Sequence, residues 1–384
     1  MDVQGTASAR TLRKAIMKIA FRTDASLEIG SGHVMRCLTL ADALKTSGAS
    51  CRFICREHPG HLLDLIRWRG HEAIGLPATI SSGSTEGTVA DETKLAHAAW
   101  LGTDWRNDAA QTLASLQGEL TDWLVVDHYA IDSSWEHVLR PAYRKLMVID
   151  DLADRAHDCD LLLDQNWFGE ETDMRYSKWV TENCRCLLGP EFALLKPEYA
   201  QLRVLMPPRD GIVRRVLVFL GGSDPTNQTG KVLDALMRRG LEHLAVDVVV
   251  GVNHPDPEGI SAQVTARPAT TLYQEMPSLA GLMARADLMI GAGGSTTWER
   301  MCLGLPTIVV SIADNQNATN VALMKARYIN FVGDMNDVSC EMLADAVDRC
   351  LTYPKTLKMQ SALGQSLVPG LGTAVVCEHI SLNC

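Results

Sequence analysis

The sequence predicts an α/β protein made of two doubly wound, Rossmann-like parallel-sheet domains that face each other across a cleft. Three observations carry this expectation. Short, continuously apolar runs alternate with helical patterns, as they do when strands are buried on both faces and separated by helices. The alternation breaks at Met206-Pro207-Pro208-Arg209-Asp210-Gly211, which has linker composition. It then restarts with the same opening of strand, glycine turn and helix.

Each element follows from its local pattern. An apolar strand begins at Lys18, turns through Gly30-Ser31-Gly32, and launches a helix with His33 in its first turn. Residues 52–55 read as the next strand, and residues 60–68 as a helix carrying Leu62, Leu63, Leu65 and Ile66. Residues 79–88 have loop composition and are expected at the surface. Residues 123–127 form a continuous apolar strand ending in Asp127-His128-Tyr129. Residues 146–149 and 161–163 are two more, each followed by acidic or amide side chains; after the first, at least one of Asp150 and Asp151 is expected in a solvated loop. In the second half residues 215–220 are a strand, Gly221 to Asp224 a glycine turn, and residues 227–241 a helix. Residues 246–250, 288–290, 307–310 and 328–332 supply further strands. The domains are accordingly expected at 17–205 and 212–366. Residues 1–16 read as a disordered extension, and residues 367–384 as a tail able to pack back.

Composition narrows the function. A chain of 384 residues is long enough for two cores, and 46% hydrophobic with 21% charged residues describes a globular protein. The net charge of -10 argues against a general nucleic-acid binder, which needs a basic face. No apolar run approaches the roughly 20 residues that span a bilayer. The 11 cysteines are scattered without zinc-knuckle spacing and are expected as reduced thiols in a cytoplasmic protein. Cys37, Cys302 and Cys350 fall in apolar helical patterns as small buried hydrophobes. Asp158-Cys159-Asp160 precedes a strand instead of ending one, so no metal site is assigned.

The glycine turn before His33 lets backbone amides approach an anion, which the helix dipole favours. Such a turn also serves plain packing. Histidine is the side chain whose ordinary pKa suits proton transfer near neutrality. Met35 stands where a dinucleotide fingerprint needs glycine, so a nicotinamide enzyme is disfavoured. A second constellation, Gly291-Ala292-Gly293-Gly294-Ser295-Thr296-Thr297-Trp298-Glu299, follows a strand and opens a helix. Gly293, Gly294 and Ser295 would offer amides to a diphosphate, with Glu299 a turn further on toward ribose hydroxyls. The plainer alternative is a helix capped by Thr296 or Thr297. Asn315 and Gln316 end the next strand at the same rim. Gly221-Gly222-Ser223-Asp224 reads equally as a phosphate turn and as a βα turn capped by Ser223 or Asp224.

Together these motifs resemble the UDP-2,4-diacetamido-2,4,6-trideoxy-β-L-altropyranose hydrolase family of pseudaminic acid synthesis. The resemblance rests on FRTDASLEIGSGHVMRCLTLA, VVDHYAID, LLGPEFALLKPEY, LGGSDPTN and IGAGGSTTWERMCLGLPTIVV. In the first of these Arg22, Asp24, Gly30, Gly32, His33 and Arg36 match; the last is shared with GT-B nucleotide-sugar transferases. The resemblance implies a GT-B-like fold and a metal-independent, cofactor-free inverting hydrolase that releases UDP and free sugar. It implies His33 and Tyr129 as catalytic residues. The substrate-binding set expected is Arg22, Asp24, Gly30, Gly32, Asp127, His128, Gly222, Ser223, Gly293, Gly294, Ser295, Thr296, Glu299, Asn315 and Gln316. Trp298 stands about where some members carry an asparagine, so that role is not transferred. Asn166, Trp167, Phe168 and the Leu194-Leu195-Lys196 segment are candidates for reading the sugar. Two other readings are a GT-B glycosyltransferase and a non-catalytic nucleotide-sugar-binding protein.

Overall fold

The computed structural model describes residues 16–78, 95–222, 224–238, 240–274 and 276–382. The expected extension up to residue 15, the loop expected at 79–88 and Ser223 lie outside the described residues. Seven strands form the first sheet: β1 (Lys18–Thr23), β2 (Ser50–Arg56), β3 (Glu72–Leu76), β4 (Thr121–Asp127), β5 (Tyr143–Ile149), β6 (Leu161–Asp164) and β7 (Arg185–Leu188). Their order is β3-β2-β1-β4-β5-β6-β7, with every pairing parallel. Successive side chains of a strand point to opposite faces. Ile19 and Phe21 therefore join one core with Phe53, Trp123 and Leu38, while Ala20 joins another with Leu124, Val126 and Trp135. Phe21 pairs with Phe53 and Val125 in register, and its ring stacks on Phe53 at 4.7 Å.

The second sheet repeats the plan with six strands: β8 (Arg215–Phe219), β9 (Ala245–Val250), β10 (Thr270–Gln274), β11 (Leu288–Ala292), β12 (Thr307–Ser311) and β13 (Asn330–Asp334). The order is β10-β9-β8-β11-β12-β13, again wholly parallel. Strand order reverses between β1 and β4 in one sheet and between β8 and β11 in the other. At such switch points a crevice opens beyond the carboxyl ends of the strands. His33 follows β1 and Tyr129 follows β4, whereas Gly222 follows β8 and Gly293 follows β11.

Several boundaries move for identifiable reasons. The helix expected at 60–68 is Leu63–Trp68, because a turn at Pro59-Gly60 occupies its front. The helix expected at 227–241 is Gln228–Leu236, capped by Asn227, whose side chain accepts from the Gly230 amide. β11 runs on through Gly291 and Ala292, so its turn starts only at Gly293.

The chain passes between domains earlier than the proline break suggests. Ala193, Leu195 and Tyr199 pack in the second domain's core, whereas Leu194 packs in the first. Helix Pro197–Leu205 thus belongs with the second sheet, which shifts the boundary expected at 205. Met206 to Gly211 is no free linker either: the Arg209 guanidinium donates to the carbonyls of Met283, Ala286 and Leu303. The C-terminal helix Gly372–Leu382 returns to the first domain and buries Val376 and Ile380 against helix Gly32–Thr46.

Candidate active site

After β1 the chain makes a tight turn in which the Gly30 amide donates to the Ser26 carbonyl at 2.9 Å, with Gly30 at φ 78°. Only glycine adopts that conformation without strain. The turn feeds helix Gly32–Thr46 and puts His33 in its first turn, 8% exposed. The imidazole Nδ1 is 3.9 Å from Asp127 Oδ1, and the ring meets Tyr129 edge-on at 4.6 Å. Burial lowers the His33 pKa from 6.5 to about 4, outweighing the opposing pull of Asp127. The positive end of the helix acts in the same direction. His33 is therefore a neutral imidazole at physiological pH, free to accept a proton.

Asp127 does not point at a ligand. Its carboxylate is clamped by Arg36, Nε to Oδ2 at 2.7 Å and Nη2 to Oδ1 at 2.7 Å. Burial alone would raise its pKa, but Arg36 and His33 hold it below the usual carboxylate range. Arg36 also reaches Asp151 at 2.8 and 3.0 Å, and the Tyr129 hydroxyl donates to the same carboxylate at 2.7 Å. Burial and then Asp151 push the Tyr129 hydroxyl well above its ordinary pKa. The phenol is thereby held protonated against Asp151, beside the His33 ring. The Asn315 amide donates to this hydroxyl at 3.3 Å, and the contact crosses between domains.

Arg22, Asp24 and His128, expected against substrate, lie sealed behind the site with 0, 0 and 1% exposure. Arg22 donates to Asp24 and Asp108 at 2.6 Å each, and Arg56 shares Asp108 at 2.6 Å. His128 Nδ1 accepts from the Ala130 amide, which leaves Nε2 to carry its proton 3.3 Å from Asp24 Oδ2. These residues fix the carboxyl ends of β1 and β4 instead of touching a ligand. Neither strand-end carboxylate after β5 is solvated, contrary to expectation: Asp150 pairs with Arg155 and Tyr176, and Asp151 joins the Arg36 cluster.

Sequence reasoning passed over an aromatic wall. The short helix Ala98–Leu101 sets Trp100 at 5.6 Å from Tyr129 and 6.3 Å from His33, with His97 at 4.4 Å from Trp100. The Trp100 indole donates to Glu28 at 3.1 Å, tying the wall to the glycine turn. The signal available was the i, i+3 spacing of His97 and Trp100. Arg36 and Asp151 complete the set left out of the expected site; Arg36 lies one turn beyond His33 on the same helix face.

In the second domain Gly222 comes close to the first turn: a Cβ there would lie 3.6 Å from Ser31 Oγ. Asp224 lies before the Asn227 cap and adds two acceptors to the same helix start, taking the Gln228 and Thr229 amides at 2.9 and 2.7 Å. After β11, helix Thr296–Cys302 begins at Ser295 without any side-chain cap. The first amides of a helix lack internal acceptors, so Ser295 and Thr296 retain donor capacity. The capping alternative for Thr297 fails, because its hydroxyl accepts from Arg300. Gly293 needs correction: its amide donates to Gln316 Oε1 at 3.2 Å, and a Cβ there would strike Asn320. Gln316 also accepts from Ile312 through the same oxygen, so its carbonyl end braces the loop. Glu299 is hydrogen-bonded by the Tyr199 hydroxyl, and burial raises its carboxyl to about 7. Trp298 is a core residue, 2% exposed.

Of the sugar-reading candidates, Leu194 and Leu195 are buried, and Lys196 donates to the Pro277 carbonyl. Trp167 packs edge-on against Tyr328 at 5.2 Å, and Phe168 lies beneath the Arg175 guanidinium at 3.6 Å. Asn166 turns its backbone amide to Asp164. Cysteines among the described residues are free thiols. Among the described residues no group of three or more His, Cys, Asp or Glu is placed to hold a metal ion. No described helix is long and apolar enough to cross a membrane.

Two parallel-sheet domains with paired glycine turns at their switch points define a GT-B-like fold. Residues 216–367 match the family model described as the glycosyltransferase family 28 C-terminal domain. The chain is similar to the spore coat polysaccharide biosynthesis protein SpsG of Bacillus subtilis, 30% identical over 202 residues. That match covers 52% of this chain and 59% of the relative, so the chain spans little more than half of that protein's length. It is also similar to the UDP-2,4-diacetamido-2,4,6-trideoxy-β-L-altropyranose hydrolase of Campylobacter jejuni, 22% identical over 315 residues, 81% of this chain and 98% of that protein. Among solved structures, Arabidopsis thaliana UGT89C1 complexed with UDP superposes with a TM-score of 0.65 at 14% identity, covering 96% of this chain and 100% of that one.

Proposed function

We propose that this protein is a nucleotide-sugar enzyme that hydrolyses a UDP-linked 2,4-diacetamido-2,4,6-trideoxy hexose at its anomeric C–O bond, with inversion. The observation that carries this reading is His33: a neutral imidazole on a glycine turn, with 10% of its side chain open toward the cleft. The similarity to the Campylobacter hydrolase, which spans nearly all of that protein, supports the same reaction. In this reading the diphosphate sits on the Gly294, Ser295 and Thr296 amides at the second domain's switch point, with Gly222 at its flank. Those donors meet the charge that grows on the leaving diphosphate. Water attacks the anomeric carbon from the first domain; its proton passes to His33 as the bond to the β-phosphate oxygen breaks. Positioned general-base catalysis of this kind is worth about 10²–10⁴-fold in rate. Direct displacement by water through an oxocarbenium-like transition state inverts the anomeric centre. Asp127, clamped by Arg36, places a fixed negative charge 3.9 Å from the imidazole, and Tyr129 with Asn315 bridges the two half-sites.

The test is incubation of the protein with the UDP-diacetamido sugar in ¹⁸O-water, followed by NMR and mass spectrometry. Label in the C1 hydroxyl of the free sugar is expected. Label in UDP would mean attack at phosphorus and would overturn the mechanism. A second reading, a GT-B transferase, draws on the family 28 match over residues 216–367. It requires UDP release to be slow until an alcohol acceptor is added, whereas the hydrolase releases UDP without one.

A further inference from the structure

A recess of about 310 Å³ lies at the outer edge of the second sheet, where the edge strand β13 begins. Its walls come from β13 and from the helices Asn315–Lys325, Cys340–Thr352 and Pro354–Leu367. The size falls at the lower end of small-molecule pockets, roughly 300–1,000 Å³. Because it sits at the amino end of its strand, it is separate from the cleft formed at the carboxyl ends.

The charge pattern of this recess is unlike that of the chain as a whole. The protein carries a net charge of -10, yet the recess is lined by two arginines, Arg327 and Arg349, and by no carboxylate. Neither guanidinium has an ion-pair partner among the described residues. Two of the three acidic side chains on the helix that carries Arg349, Asp345 and Asp348, turn toward Arg238. Arg327 adds an independent observation. It follows the Ala326 cap of its helix at φ 65°, the left-handed position that glycine normally fills. Arginine is less favoured there than glycine, and this one adds an exposed cation to the lining of the recess. The floor is polar and already satisfied: Asn330 and the buried Gln360 exchange hydrogen bonds at 3.1 and 3.3 Å. Ile329 and Phe331 give it an apolar side.

We propose that this recess is a second ligand site, binding a phosphate monoester carried on a small apolar body. Two guanidiniums match a dianion, which each can meet with paired N–H donors. Ile329 and Phe331 receive the apolar body. The ligand makes no use of the nucleotide-sugar cleft.

Phenyl phosphate is the probe, titrated into the full chain by calorimetry with and without saturating UDP. Saturable binding that UDP leaves intact is expected. Arg349→Gln and Arg327→Gly should each weaken it about tenfold or more, the worth of one charged hydrogen bond. Arg327→Gly should leave the unfolding temperature unchanged or higher, since it also relieves the left-handed residue. That separates a lost ligand contact from a damaged fold. The proposal is overturned if phenyl phosphate fails to bind, or if both variants bind it as tightly as the parent. Displacement by UDP would place the ligand in the cleft and likewise overturn it. Inorganic phosphate binding as tightly as phenyl phosphate would overturn the assignment to an apolar ester.

Discussion

Replacing His33 by asparagine isolates the titration of one imidazole. In the native protein its pKa is about 4, against 6.5 for an ordinary histidine. Above pH 6.5 the ring is neutral in both folded and unfolded chains, and the difference costs nothing. Between pH 6.5 and 4 the unfolded chain binds a proton that the folded one refuses, so stability falls as pH falls. Below pH 4 both forms are protonated and the loss is complete. At 1.36 kcal/mol for each unit of pKa difference, the fall from 6.5 to about 4 amounts to about 3 kcal/mol. The groups around the ring, Asp127, Arg36, Asp151 and His128, remain in both proteins, and so do His58 and His97. Their contributions cancel to first order when the variant is subtracted. Urea unfolding of parent and His33→Asn at pH 7, 6, 5 and 4 should show the parent losing about 3 kcal/mol more stability across that range. A difference that stays flat would refute the buried neutral ring. UDP-sugar hydrolysis, if His33 is its base, should hold its plateau to about pH 5, because the base is not protonated until near its pKa. An inflection near 6.5 would mean that the ring titrates as an exposed histidine.

Asp108→Ala removes the carboxylate that Arg22, Arg56 and Trp135 share. Arg22 keeps Asp24, and Arg56 keeps Pro77 and Gln111, but each buried guanidinium loses one carboxylate, so a loss of about 3 kcal/mol is expected from denaturant unfolding; under 1 kcal/mol would contradict the network's role. Tyr129→Phe keeps the aromatic packing but deletes the hydroxyl that bridges Asp151 and Asn315. About 1 kcal/mol of stability should go, and scattering should report a looser domain pair; an unchanged profile would argue against the bridge. Gly251→Ala drives a Cβ into the Gly222 carbonyl, whereas Gly281→Ala meets nothing within 4 Å. The first should lower stability by about 1–3 kcal/mol and the second hardly at all, as read by thermal melting. Glu299 is raised from 4.5 to about 7, so the native carboxyl keeps its proton and stability falls as pH rises through that window. Glu299→Gln should therefore be more stable than the parent at pH 8, by about 1–3 kcal/mol, and equal to it near pH 4.

The sheets could be read from the sequence because a strand buried on both faces must be apolar at every position, as in Leu124-Val125-Val126. Position His33 was readable too, since turn, glycine and helix start are all local. Partnerships were not. Arg22 and Asp24 carry a recognisable motif, yet their meaning depends on Asp108, 86 positions beyond Arg22. Asp127 reads as a ligand group in the sequence, yet Arg36, 91 positions earlier, clamps it. The domain crossing was hidden for the opposite reason. Met206 to Gly211 has the composition of a linker, but Arg209 pins it down, while the true crossing at Ala193 to Leu195 is apolar and looks like a strand end.

That crossing has a mechanical consequence. The chain passes between domains at Ala193 to Leu195 and again on its way from Val368 to the final helix. The two passages lie side by side, joined by Thr373 Oγ1 donating to the Leu195 carbonyl at 2.7 Å. Two neighbouring covalent passages restrict the relative motion of the domains more than a single tether does, and the hydrogen bond between Thr373 and Leu195 obliges the two to move together.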